Sequence, residues 1–280
     1  MSTGAFIAPF AFLGTDADVE AADELFRNPK SDFVVPRGAL FFAPGNESFA
    51  EIPGLEQELV ESVNLAFAQR IVEASGHGRT LMIQATELDD GAAWPFDFVA
   101  AARRAVESRD VAPMHAIILA SAGIPGVFPP REIDGALFVD GSVVSNIFYG
   151  ANFKREDSFG AVWKRTHPGH PVPTMRYWVI LNAYVSPLVR TVQPTWPEIL
   201  VRSLELAARA STTTALRHLY AMAELSKLRG DGEIEVRWVA VPQSWRASNA
   251  EFFDAQDMRA ISDEGMRVGA DPNSWNTEPP

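Results

Sequence analysis

The pair Asp140-Gly141 is the strongest candidate for chemistry in the sequence. It follows the short β-prone run ALFV at positions 136–139. A carboxylate at the end of a buried strand, followed by a glycine that can adopt positive φ, lies at the edge of a sheet, where ligands and catalytic groups usually sit. Such a carboxylate can accept a proton from a nucleophile. We therefore expect the chemistry at Asp140.

Two other groups of side chains could be proposed as metal ligands. Asp89 and Asp90 stand side by side before Gly91; adjacent acidic residues in a glycine turn more often form the turn than bind a metal. His167 and His170 flank a Pro-Gly pair without nearby acidic residues, which argues against a metal site. We expect no metal ion and no cofactor.

The stretch 117–142, IILASAGIPGVFPPREIDGALFVDGS, resembles the second signature of the patatin-like phospholipase family. In that family the Asp is the partner of a nucleophilic Ser in a G-x-S-x-G turn. Within the segment MSTGA at positions 1–5, the residues MSTG match the last four positions of such a turn. The resemblance therefore implies that Ser2 is the nucleophile and Asp140 its base, with Gly4 and Gly141 supporting the two motifs. The segment ATELDDG at 85–91 fits the same family pattern.

The resemblance also implies a chain that is N-terminally incomplete and begins inside its nucleophile motif. No residue stands before Met1 to supply the first Gly, and no segment resembles the G-G-G-x-x-G oxyanion loop of the family. We expect the first strand or strands and this loop to be encoded upstream, in frame. A targeting segment would also lie upstream of Met1, so the compartment stays open.

The family resemblance implies an α/β fold, a three-layer α/β/α sandwich with a central, mostly parallel sheet. We expect one acyl hydrolase domain over residues 1–270 and a flexible tail over 271–280. Apolar periodicity, capping residues and breakers predict the individual elements. These are a helix capped by Thr15, one helix over 55–71, strands over 81–85, 177–181 and 233–238, a helix over 98–106, a long helix between Pro197 and Gly230 with a break at 211–214 left open, and a last helix capped by Asp254.

Composition limits the partners. The chain has 280 residues, 47% of them hydrophobic, a formal net charge of −12 and no cysteine. An acidic protein is repelled by nucleic acid, so we expect no nucleic-acid binding. The basic cluster around Lys154-Arg155 contains Glu156 and Asp157 and is interpreted as a solvated loop rather than a lipid-binding patch. A lipid or phospholipid ester is the expected substrate, with peripheral membrane contact.

The implied reaction is acyl transfer from a lipid ester to Ser2 and then to water. A Ser hydroxyl is a weak nucleophile and needs a base within hydrogen-bond reach, which Asp140 would provide directly. A helix that begins after Ser2 would direct its positive end at the developing oxyanion. Two alternatives remain at this point: an inactive truncated fragment, because an oxyanion loop is missing, and a non-enzymatic module that binds an apolar ligand or a partner.

Overall fold

The computed structural model describes residues 1–38, 45–149, 154–249 and 253–280. The chain divides into two compact units. The first unit comprises Met1–Val144 with Ala247–Glu264, and the second comprises Ser145–Arg246 with Gly265–Pro280. The single domain predicted over residues 1–270 stays a prediction.

The first unit combines helices with two small sheets. Its helices are α1 (Thr3–Leu13), α2 (Asp16–Arg27), α3 (Pro53–Ser62), α4 (Leu65–Ala74), α5 (Phe98–Ser108) and α6 (Ala112–Ala122). Its strands are β1 (Val35–Pro36), β2 (Ala50–Glu51), β3 (Met82–Glu87), β4 (Ala93–Asp97), β5 (Arg131–Ile133) and β6 (Ala136–Asp140). Helices and sheets alternate along the chain, which confirms the predicted mixed α/β class.

The larger sheet of this unit has the strand order β4-β3-β6-β5, and each neighbouring pair is antiparallel. This pairing differs from the mostly parallel sheet that we expected. The reason is local, because β5 and β6 are joined by the tight turn Asp134-Gly135, with φ of 52° and 82°. A two-residue turn with positive φ at both positions can only join antiparallel strands. The five-residue loop at 88–92 joins β3 to β4, which are also adjacent and antiparallel.

One apolar core holds α1 against the neighbouring helices of the first unit. Phe6, Phe10 and Phe12 of α1 are buried in it. The Phe10 ring lies 5.0 Å from the ring of Phe67 in α4. Burying large aromatic side chains is among the strongest stabilising contributions that a core receives. The packing fixes α1, and with it the turn that precedes the helix.

An ion pair links α2 to α4. Thr15 caps α2 as predicted, since its side chain accepts a hydrogen bond from the Asp18 backbone N–H at 3.3 Å. The buried Asp18 carboxylate also bonds Arg70 Nη2 at 2.6 Å. Burial raises the pKa of Asp18, but the hydrogen bonds from Arg70 and Thr15 outweigh it, so the pKa lies below its usual value.

The helix predicted over 55–71 is two helices, α3 and α4. They are separated at Val63-Asn64, where Val63 is fully buried and the Asn64 side chain caps α4 by accepting from the Phe67 N–H at 3.1 Å. The four-residue apolar spacing continues through the break, because Leu59 and Ile71 on its two sides enter the same core. Periodicity alone could not reveal the break.

The second unit is built on the parallel pair of strands β7 (Met175–Leu181) and β8 (Ile234–Ala240). It also contains the helices α7 (Phe159–Thr166) and α8 (Trp196–Arg229), the latter 34 residues long. The last helix, α9 (Ala255–Ala270), begins in the first unit and ends in the second. Helix α8 is continuous through 211–214, where the Thr212 hydroxyl donates to the Ala208 carbonyl at 2.9 Å. Asp254 caps α9 as predicted, accepting from the Gln256 N–H at 3.0 Å.

The terminal segment 271–280, predicted as a flexible tail, lies against β8. Asn276 and Trp238 exchange two backbone hydrogen bonds of 2.9 and 3.0 Å, and the Trp238 indole donates to the Glu278 carbonyl at 2.8 Å. These bonds occupy part of the edge of β8. Across the described part of the chain, no helix is both long and apolar enough to cross a membrane.

Candidate active site

Ser2 occupies a strained turn immediately before α1. Its φ and ψ are 49° and −122°, a combination that side-chain-bearing residues adopt rarely and at a cost of about 1–3 kcal/mol. Its backbone N–H donates to the Ser121 carbonyl near the end of α6 at 2.9 Å, and its carbonyl accepts from the Ala5 N–H at 2.8 Å. These bonds and the packing of α1 hold the serine in this conformation.

Asp140 is the last residue of β6 and is fully buried. Its backbone is held on both sides, because its N–H donates to the Gly123 carbonyl at 2.9 Å and its carbonyl accepts from the Thr86 hydroxyl at 3.0 Å. Its carboxylate oxygen Oδ1 accepts from the Ser142 backbone N–H at 2.7 Å. The side chain therefore has one oxygen engaged by its own turn and the other available to a partner.

The structure brings these two residues, 138 positions apart, into direct contact. Ser2 Oγ donates a hydrogen bond to Asp140 Oδ2. The serine hydroxyl lies at the N-terminal end of α1, where the helix dipole favours negative charge. A hydroxyl bonded to a carboxylate beside a helix N-terminus has the three parts needed for nucleophilic attack: a nucleophile, a proton acceptor and a positive field.

The two glycines of the motifs have different surroundings. A Cβ at Gly141 would lie 2.5 Å from the carbonyl oxygen of Gln84, so the close approach of this turn to β3 requires glycine. A Cβ at Gly4 would meet no atom within 4 Å. Gly141 is thus required by packing within the chain, whereas Gly4 leaves open space in the first turn of α1.

Buried polar residues behind the Ser2–Asp140 pair were missed by the sequence analysis. Ser121 Oγ donates to the Gln84 carbonyl at 2.7 Å, and the Thr86 hydroxyl bonds the Asp140 carbonyl. All three polar side chains, of Ser121, Gln84 and Thr86, are buried. The sequence does contain one signal for them: Gln84 and Thr86 are two positions apart in a strand, which places both side chains on one face of the sheet.

The other candidate ligands have local roles. Asp90 accepts from the Ala92 N–H at 2.8 Å and so forms the β3–β4 turn. Desolvation raises the pKa of Glu87, and the charges of Asp90 and Asp89 raise it further, so these acids repel one another. His167 stacks on Trp163 with ring centroids 3.9 Å apart. Within the ranges that the structure covers, no group of three or more His, Cys, Asp or Glu side chains could hold a metal ion.

The chain has a mixed α/β fold, and a strained serine at a helix N-terminus is hydrogen-bonded to a buried carboxylate. This arrangement is a serine–carboxylate site. The comparison with protein families gives a narrower result: the model of the patatin-like phospholipases matches residues 1–151, more than half of the chain. The chain therefore belongs to the patatin-like phospholipase family, a family of lipid hydrolases. No curated protein matches it significantly. The matched range contains both Ser2 and Asp140.

Proposed function

We propose that the protein is a lipid acyl hydrolase of the phospholipase A type that uses Ser2 as nucleophile and Asp140 as general base. The observation that supports this most strongly is the hydrogen bond from Ser2 Oγ to the buried Asp140 carboxylate. Membership of a lipid hydrolase family supplies the substrate class.

In the first half-reaction, Ser2 Oγ attacks the carbonyl carbon of a lipid ester while its proton passes to Asp140 Oδ2. The bond between the carbonyl carbon and the leaving oxygen then breaks. The leaving alcohol, a lysophospholipid when the substrate is a phospholipid, takes the proton from Asp140. An acyl ester on Ser2 remains.

In the second half-reaction, water attacks the acyl ester and gives a proton to Asp140. The bond from the acyl carbon to Ser2 Oγ breaks, Oγ recovers the proton, and a free fatty acid leaves. In both halves the negative charge develops on the carbonyl oxygen. The N-terminus of α1, whose first residue is Thr3, would stabilise that oxygen through the helix dipole.

The conformation of Ser2 agrees with this role. In serine hydrolases a sharp, strained strand-to-helix turn exposes the nucleophile, and the N–H after the nucleophile contributes to the oxyanion hole. The positive φ of Ser2 and the immediate start of α1 correspond to the helix side of such a turn. By that rule Thr3 supplies one oxyanion donor.

The test is hydrolysis of a short-chain p-nitrophenyl ester and of phosphatidylcholine in mixed micelles by three purified proteins. The wild type should release alcohol and fatty acid, and Ser2→Ala should reduce both activities by at least about 10³-fold. Ser108→Ala, an exposed serine at the end of α5, is the matched control and should retain full activity. Equal activity of Ser2→Ala and the wild type would refute the proposal.

A further inference from the structure

The first half of α8, residues 196–210, carries large apolar side chains on its outer side. Each of five such side chains is about half exposed or more. They are Trp196 (63%), Ile199 (51%), Leu200 (49%), Val201 (58%) and Leu204 (50%). A soluble surface helix normally places these residue types in a core.

The polar side of the same half faces the loop that follows β7, within the second unit. Arg202 Nη2 donates to the Leu188 carbonyl at 2.7 Å, and Arg209 Nη1 donates to the Val185 carbonyl at 3.3 Å. Leu216, seven residues after Arg209 and therefore on the same side, is fully buried. The inner side of α8 is thus apolar in its second half, whereas in its first half it carries Arg202 and Arg209 beside the partly buried Leu206. Most of the large apolar side chains of the first half are on the side that faces solvent.

The charges beside this apolar side are balanced. Glu205 binds both Arg202 Nη1 at 2.7 Å and Arg190 Nη2 at 3.0 Å. Positions 190–210 contain three arginines and two glutamates, whereas the whole chain has a formal charge of −12. This part of an acidic protein can therefore approach a phospholipid surface without electrostatic repulsion.

We propose that the first half of α8 docks the protein on a neutral phospholipid bilayer, lying in the interface with Trp196, Leu200 and Leu204 inserted. This inference rests on the proposed function, because a lipid hydrolase must meet aggregated lipid. Trp is enriched at membrane–water interfaces, and an interfacial helix has one apolar and one polar side. The bilayer is favoured over a second copy, because consecutive Ile199, Leu200 and Val201 make the apolar side wider than a coiled-coil seam.

The test compares two matched double variants of the 280-residue protein by flotation with phosphatidylcholine vesicles. Leu200→Glu/Leu204→Glu alters the proposed docking side. Leu225→Glu/Leu228→Glu introduces the same change at the other end of α8, where the side chains are 44% and 80% exposed. We expect the first variant to lose at least about tenfold in vesicle binding, and the second to bind like the wild type.

Three further measurements separate this inference from the proposed function. Hydrolysis of a monomeric, water-soluble ester should be equal in both double variants, because their changes affect docking and not Ser2. Wild-type binding should persist in about 0.5 M NaCl, because apolar insertion is not screened by salt. If Ser2→Ala binds vesicles normally but hydrolyses nothing, both proposals are supported.

Three results would overturn the docking role. One is equal vesicle binding by the two double variants. Another is binding that requires anionic lipid and disappears in salt. The third is a wild-type dimer that becomes monomeric only in Leu200→Glu/Leu204→Glu, with vesicle binding unchanged, which would make this side an interface between copies of the chain.

Discussion

The substitution Asp140→Asn tests the proposed role of Asp140 as general base separately from the rest of the site. Asparagine has nearly the same shape, and its oxygen can still accept the hydrogen bond that the Ser142 N–H gives to Asp140 Oδ1. The amide nitrogen would face Ser2 Oγ and could not take its proton. The variant therefore removes proton transfer and leaves the packing of the fully buried side chain in place.

The expected loss of activity follows from the role of the base. A positioned general base contributes about 10²–10⁴ in rate, which corresponds to about 3–5 kcal/mol of transition-state stabilisation. We expect kcat for ester hydrolysis by Asp140→Asn to fall by this factor. KM should change little if, as proposed, the carboxylate acts through the Ser2 hydroxyl to which it is bonded.

The expected change in stability is small because two effects oppose each other. Two hydrogen bonds to a charged acceptor become bonds to an amide, and each weakens by about 1 kcal/mol. Removing the charge from a fully buried position relieves a desolvation cost of similar size. The free energy of unfolding should therefore stay within about 2 kcal/mol of the wild type, with Tm moving about 2–4 °C for each kcal/mol.

The assay is steady-state hydrolysis of a soluble ester, with thermal unfolding of the same samples. Asp134→Asn is the matched control: it removes the same charge from the exposed turn before β6, at a φ of 52° that asparagine adopts readily. This control should keep full activity. A folded Asp140→Asn with more than about one tenth of wild-type kcat would refute the role of Asp140 as base.

Three further predictions concern the support of the site and of the fold. Gly141→Ala should unfold at lower temperature and lose activity, since its Cβ would lie 2.5 Å from a backbone oxygen of β3, whereas Gly4→Ala, with no atom within 4 Å, should keep its Tm. Ser2→Gly should be more stable than Ser2→Ala by about 1 kcal/mol in urea unfolding, because glycine adopts this φ and ψ without the strain that a Cβ brings; equal stability would contradict the strain. Arg70→Ala should destabilise the protein by about 1–3 kcal/mol at pH 7 by removing a partner of buried Asp18. The pKa of Asp18 is lower in the folded protein than in the unfolded chain, so its ion pair stabilises the fold above the unfolded pKa. This stabilisation is lost as the pH falls through the folded pKa, and the difference in unfolding free energy between Arg70→Ala and the wild type should therefore shrink below about pH 4. A difference that stays constant with pH would contradict this.

Local signals in the sequence were sufficient for the helix ends and for one half of the site. Thr15 and Asp254 cap the helices that they were predicted to cap, because a capping bond involves only neighbouring residues. Asp140 stands out for a similar reason, since a β-prone run ending in Asp-Gly is visible within a few residues. The same Asp-Gly type of signal at Asp134-Gly135 marks the turn of the antiparallel β5–β6 hairpin.

The rest depends on contacts between distant parts of the chain. Ser2 was reached only through family resemblance, because nothing in MSTGA marks a serine that meets a carboxylate 138 positions later. Ser121, Gln84 and Thr86 belong to the same network, and their bonds join α6, β3 and β6. The exposure of the apolar side of α8 could not be predicted from periodicity. Periodicity shows that one side of a helix is apolar, but not whether that side is buried or exposed in the folded protein.

The measurement that tests the central claim most directly is covalent labelling of the nucleophile. The wild type should react with an alkyl fluorophosphonate, and mass spectrometry of the digested protein should place a single adduct on Ser2. Ser2→Ala should remain unlabelled, and Asp140→Asn should be labelled at least about 100-fold more slowly. Labelling of a different serine, together with ester hydrolysis that survives Ser2→Ala, would contradict the account.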